Sequence, residues 1–261
     1  MLTVRHFFAL TGIRIKNWSV YRFDFFASIM GMIFPIIGLS LYWLDTLKYN
    51  TEVEGFVFTS KTIIVYYIIV FAIDMLFSYE LAFSVEEDIA TGKMNAYLIL
   101  PCNYITVKLS EFFAGNLLSF SLLFVLILFI SLTPFISISL CSIALFFLFV
   151  ALGLLFHFTY ILTLGLLTVW LKNVNGMLYF LQTITGLLAG TVIPLNMLPE
   201  KMQWLVWNPF SLSVFFPSQI IFTGSASLSA FLILGLWCFV AYIVYRAVLS
   251  RALKKYQAFG G

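Results

Sequence analysis

Three ionisable side chains fall inside stretches that are otherwise apolar: Asp74, Glu80 and His157. A carboxylate and imidazole set of this kind is the material of a proton relay or of a polar substrate path. Each such group costs about 2.5 to 3.5 kcal/mol at the centre of a membrane helix, so it must face protein or water. Asp74 reads either as a hydrogen-bonded or protonated structural acid or as a lining of the substrate path. Glu80 reads as a structural acid that snorkels or pairs with Lys108, and His157 as a hydrogen bond to a neighbouring helix. Lys108 and Glu111, at spacing i,i+3, read as an interfacial pair. Glu86, Glu87 and Asp88 form the only acidic cluster that would suit a metal-bound diphosphate, and no second cluster faces it. A phosphate-cradling loop needs Gly-x-x-x-x-Gly-Lys-Ser/Thr. The single Gly-Lys, Gly92-Lys93, is followed by Met94 and preceded by Glu87 where the first glycine belongs. Cys102, Cys141 and Cys238 lie far apart with no Cys-x-x-Cys or Cys/His spacing, and read as small apolar fillers.

The elements that hold these residues follow from composition. Of 261 residues, 62% are hydrophobic, 19% aromatic and 10% charged, with a mean hydropathy of +1.06. Globular domains carry about a quarter charged residues; here the remaining surface must face lipid. A net charge of +3 leaves no dense basic patch, which excludes nucleic-acid binding, and the apolar content excludes disorder. Measured between charges, the apolar runs predict six spans: 25–44 with a kink at Pro35, 62–83, 112–132, 137–171, 177–193 and 228–245. The uncharged run from Phe112 to Leu171 would be about 90 Å long as one helix, so it must fold back, most naturally at Thr133-Pro134. Residues 172–176 supply a second turn.

With six spans, one side holds Arg5, Arg14, Lys16, Arg22, Lys93, Lys108, Lys172, Arg246, Arg251, Lys254 and Lys255, and the other only Lys48, Lys61 and Lys201. The positive-inside rule then puts both termini in the cytoplasm. Residues 1–22 predict an interfacial helix rather than a cleaved signal, with Phe7, Phe8, Leu10, Trp18 and Tyr21 at the acyl boundary and Arg14, Lys16 and Arg22 at the head groups.

Two segments are unusual for mere connections. In 86–101, three acids suit a helix N-terminus, Gly92 permits a turn, and Met94, Tyr97 and Leu98 invite burial by a partner; the plainer reading is that the second span runs on and ends there. In 194–224, four of the seven prolines break an apolar run into pieces too short to span. Trp204, Trp207 and Phe210 on those pieces fit re-entrant or interfacial helices, or simply an aromatic belt.

This order, with Asp88, Ile89, Gly92, Met94, Tyr97, Leu98 and Pro101 after span two and Leu198, Pro199, Pro209, Phe210, Pro217 and Gly224 before span six, resembles the permease subunits of ABC-2 type exporters over nearly the whole chain. The resemblance implies an all-α integral membrane protein with the type V (ABC-2) exporter fold, residues 1–261 forming one transmembrane domain. It further implies a bacterial cytoplasmic membrane location, a homodimer or a heterodimer with a second permease, and two copies of a separate ATPase that binds ATP and Mg. No cofactor is expected in this chain. It gives the coupling helix to 86–98 (Glu86, Glu87, Asp88, Ile89, Gly92, Met94, Tyr97, Leu98), with the N-terminal helix as a second contact. It gives an extracellular gate to Leu198, Pro199, Trp204, Pro209, Phe210 and Pro217. A path lined by Phe, Met and Tyr of spans one, two and five suits a hydrophobic or amphipathic cargo: a drug, lipid, peptide or glycan.

Three alternatives compete. A proton-coupled secondary transporter would use Asp74, Glu80 and His157 as a relay, but no inverted repeat or matching pair of discontinuous helices is visible. A prenyl or lipid-phosphate transferase would need a second acidic cluster. A structural or immunity protein would use the scaffold without transport.

Overall fold

Charge marks where an apolar stretch ends, not where a helix ends, and the helices of this protein overrun the apolar runs. The computed structural model describes residues 4–16, 18–46, 52–53, 56–57, 60–99, 104–133 and 138–256. The expected contributions of Leu100, Pro101, Cys102 and Pro134 lie outside these residues. The helix expected over 1–22 is α1, Val4–Lys16, and residues from Trp18 onward already belong to α2, Trp18–Thr46. The ionisable residues near position 22 interrupt hydropathy without breaking backbone hydrogen bonding. Two two-residue strands, β1 (Glu52–Val53) and β2 (Phe56–Val57), pair antiparallel after α2.

The second apolar run is not one helix. α3, Ser60–Asp74, passes into a single 3-10 turn at Met75–Phe77, Ser78 is extended, and α4, Glu80–Ala90, resumes. α5, Lys93–Ile99, follows a turn at Thr91-Gly92. α6, Tyr104–Leu132, starts well before the expected Phe112. α7, Leu140–Leu166, and α8, Thr168–Leu171, form the fourth stretch; Ser139 caps it, its hydroxyl accepting from the Ser142 N–H at 3.0 Å. α9, Asn175–Ala189, ends at left-handed Gly190, short of the expected Ile193. Two 3-10 segments, Leu195–Met197 and Glu200–Trp207, precede α10 (Pro209–Ser213), α11 (Phe215–Thr223) and α12 (Leu228–Lys255).

α7 is the central post, packed by α12, α4, α11 and α10, while α1 lies along α6 and α2 along α3. The α7–α4 contact is close: a Cβ built on Gly165 would lie 2.6 Å from Val85 Cβ and 2.9 Å from the Ala82 carbonyl. Four helical stretches, 62–90, 104–132, 140–171 and 228–255, are long and apolar enough to cross a membrane, and α2 contributes a shorter apolar segment, Ile29–Asp45. Their outer faces carry large exposed apolar side chains, among them Phe34 and Leu41 on α2 and Leu232 and Phe239 on α12. Surface of that extent is a contact surface for lipid or another chain.

Candidate functional site

The expected coupling segment is an elbow. Its acids do not open a helix but close α4: Glu86, Glu87 and Asp88 lie in the last turns before Ala90, and Gly92 turns the chain at φ +75° into α5. Its two faces differ sharply. Asp88, Ile89 and Met94 are buried, whereas Glu87, Lys93, Asn95 and Ala96 are exposed. Met94 therefore needs no partner protein to cover it. It sits at 1% exposure in a core with Val85, Tyr104 and Ile161, and Tyr97 packs its ring 5.7 Å from that of Tyr104. On the open face Lys93 bonds to Glu87, and this contact raises the Lys93 ammonium above its usual range.

Behind the elbow lies a buried ionic network. Lys108 Nζ is 2.6 Å from Asp88 Oδ2, donates to Ser84 Oγ at 2.7 Å and reaches Glu111 Oε2 at 3.1 Å. Ser84 donates to the other Glu111 oxygen, and the Tyr104 hydroxyl donates to Asp88 Oδ2 at 3.1 Å. Lys108 is 1% exposed. The predicted Lys108–Glu111 pair is present, with Lys108 enclosed and Glu111 partly exposed, and the second carboxylate is Asp88, not Glu80. The network fixes the end of α4 to the first turns of α6.

The break between α3 and α4 opens on a half-open cavity of about 810 Å³. Asp74, Glu80 and Glu111 stand on its wall together with His157. Asp74 makes no hydrogen bond or ion pair with another described residue, and Glu80 is exposed and does not pair with Lys108, which is taken by Asp88 and Glu111. His157 bonds to a neighbouring helix segment as expected: its Nε2 lies 2.9 Å from the Ser78 carbonyl, which can only accept, so the proton is on Nε2. The freed carbonyl of the helix break is thus satisfied by α7.

Beyond α9, the proline-rich segment is anchored by a residue the composition did not single out. Asn208 accepts at Oδ1 from the Phe210 and Ser211 N–H groups, at 2.8 and 3.0 Å, capping α10, while its Nδ2 donates to the Leu188 carbonyl at 2.9 Å and to Leu205. Asn before Pro is the signal that would have found it, because Asn caps helices and Pro suits the first helical position. Pro209 and Pro217 are buried, Leu198 and Phe210 partly so, and Pro199 and Trp204 exposed. Tyr66 and Tyr67 of α3 donate to the carbonyls of Gly190 and Val192 at 2.7 and 2.8 Å, tying this segment to the second stretch.

The family model described as ABC-2 family transporter protein matches residues 26–260. The chain belongs to the ABC-2 transporter family. An ABC-2 permease is a translocation subunit and works with an ABC ATPase, in keeping with the missing phosphate loop and the long apolar helices. Comparison with curated proteins gives no match.

Proposed function

We propose that this ABC-2 permease is the transmembrane subunit of an ATP-driven exporter that moves a hydrophobic or amphipathic cargo out across a bacterial cytoplasmic membrane. The observation that carries the reading is the family match over 26–260 in a chain without a phosphate-binding loop. Six spans, α2, α3 with α4, α6, α7 with α8, α9 and α12, leave both termini in the cytoplasm, an orientation supported by the distribution of Lys and Arg. Two copies of a separate ATPase bind ATP and Mg, and the permease pairs with itself or with a second permease.

The elbow from Glu86 to Leu98 is the coupling segment, with α1 as a second contact. Its exposed face, Glu87, Lys93, Asn95 and Ala96, docks on the ATPase, and its buried face, Asp88, Ile89 and Met94, anchors it. Because Lys108 fixes the elbow to α6, closure of the ATPase dimer moves α4 and α6 together as one of two discrete packings. The segment holding Leu198, Pro199, Trp204, Pro209, Phe210 and Pro217 gates the outer end, and the Tyr66 and Tyr67 bonds carry movement of α3 to it.

The test is co-purification with the ATPase encoded beside this gene, wild type against Gly92→Pro and against Lys93→Glu with Ala96→Glu. Wild type is expected to form a complex that hydrolyses ATP in lipid. Both variants are expected to lose the complex, and the second to keep the wild-type melting temperature, since both substituted residues are exposed. A folded wild-type chain that binds no ATPase would end the reading.

A further inference from the structure

The cavity at the α3–α4 break has walls of unequal character. Phe71, Phe77, Tyr79, Phe112 and Phe210 supply aromatic surface, and Asp74, Glu80 and Glu111 supply carboxylates. Among the described residues no Lys or Arg lines it, and Lys108, which reaches Glu111 from behind, already serves Asp88 and Glu111. The break itself adds negative character. α3 and its 3-10 turn end there with the carbonyl end of the helix dipole. We infer that this cavity binds an organic cation with an aromatic or apolar body, its charge beside Asp74 and Glu80 and its body against the aromatic wall.

Three observations select this class over others. At about 810 Å³ the cavity falls in the range of drug-sized ligand sites, which are mostly apolar with a few converging polar groups. A bare metal ion is poorly served, because no group of three or more His, Cys, Asp or Glu side chains among the described residues could hold one. An anion would meet the carboxylates of Asp74 and Glu80, with no Lys or Arg among the described residues of the wall. A cation, in contrast, partners Asp74, which makes no hydrogen bond or ion pair among the described residues, and gains from ring faces, where cations are attracted to the π-electrons.

The inference deepens the permease reading by naming a cargo class and rests on that reading for transport, but binding needs no ATPase. The experiment therefore uses the purified full-length chain alone, in lipid nanodiscs, with tetraphenylphosphonium and tetraphenylborate, ions of nearly equal shape and opposite charge. Saturable binding of tetraphenylphosphonium, with no competition from tetraphenylborate, is expected. Asp74→Asn with Glu80→Gln should weaken it by about tenfold or more, a loss of Coulomb attraction at short range, and Asp74→Glu should retain it. Gly115→Trp fills the cavity from a wall position whose side-chain space is open, and should abolish binding without altering charge. Equal binding of the two ions would overturn the inference, as would unchanged tetraphenylphosphonium affinity in the folded double variant. If Asp74→Asn does not fold, Glu80→Gln and Gly115→Trp decide the matter in the same way. Charge-selective binding with no ATPase complex would leave the site standing and remove the exporter. An active complex with no charge selectivity would do the reverse.

Discussion

Lys108 of α6 is the residue on which the anchoring of the elbow turns. It is fully enclosed, and its ammonium group meets Asp88, Glu111 and Ser84 while lying 5.6 Å from the Tyr104 ring centre. Breaking a buried ion pair from one side costs about 3 to 5 kcal/mol because the other charge is left uncompensated, whereas replacing both partners by apolar groups is often neutral. Lys108→Met is therefore expected to lower the melting temperature of the detergent-solubilised chain the most, since it strands two carboxylates. Asp88→Asn should cost less, because Lys108 keeps Glu111 and Ser84. Adding Asp88→Leu to Lys108→Met should recover a large part of the loss, and a double variant worse than either single one would rule the pairing out. Sequence reading reached only half of this network. Lys108 and Glu111 share a helix face and can be paired by spacing, but Asp88 meets Lys108 only after α5 has turned the chain back. The cover of Met94 is hidden for the same reason: an apolar residue in a charged stretch looks open until the fold buries it.

Elements show a similar division. The apolar runs and their order were legible from hydropathy, and so were the turn at Gly92 and the stop after Leu171, where the glycine and polar residues are explicit. The break between α3 and α4 was not, because no Pro or Gly lies between residues 62 and 83 to announce it; the carbonyl it frees is satisfied by His157 from another helix. The close crossing of α4 on α7 was hidden too, since Gly165 resembles any helix glycine until Val85 and the Ala82 carbonyl are set against it. Gly165→Ala should force these helices apart, and overpacking of this kind costs about 1 to 3 kcal/mol. Gly235→Ala on α12, where nothing lies within 4 Å of the new Cβ, should instead be neutral or stabilise by up to about 1 kcal/mol, the ordinary helix preference for Ala. Melting temperatures that fall for the first and hold for the second fit the close crossing, and equal effects at both positions would contradict it.

At the scale of the whole molecule the topology turns on α9. Its 15 residues measure about 22 Å, short of the roughly 30 Å of a bilayer core. A crossing here has to be completed by the irregular chain that follows. Such backbone is tolerated at membrane depth where protein covers it, and Pro194, Leu195, Pro209 and Ser211 are buried, with Asn208 and Tyr66 bonding to carbonyls at the end of α9 and just beyond it. This packing is what the proposed crossing by a short α9 requires, and the parity of the span count fixes where the basic C-terminal end of α12 lies. Lys172 and Lys201 flank α9 and both are exposed. In a variant with Cys102, Cys141 and Cys238 replaced by Ala, Lys201→Cys is expected to react with a membrane-impermeant maleimide on intact cells. Lys172→Cys and Lys254→Cys should react only after permeabilisation. Labelling of positions 172 and 201 from one side would mean that α9 does not cross. The basic residues at Lys172 and those after Tyr245 would then lie on opposite sides, and the charge asymmetry on which the proposed six-span orientation rests would be lost.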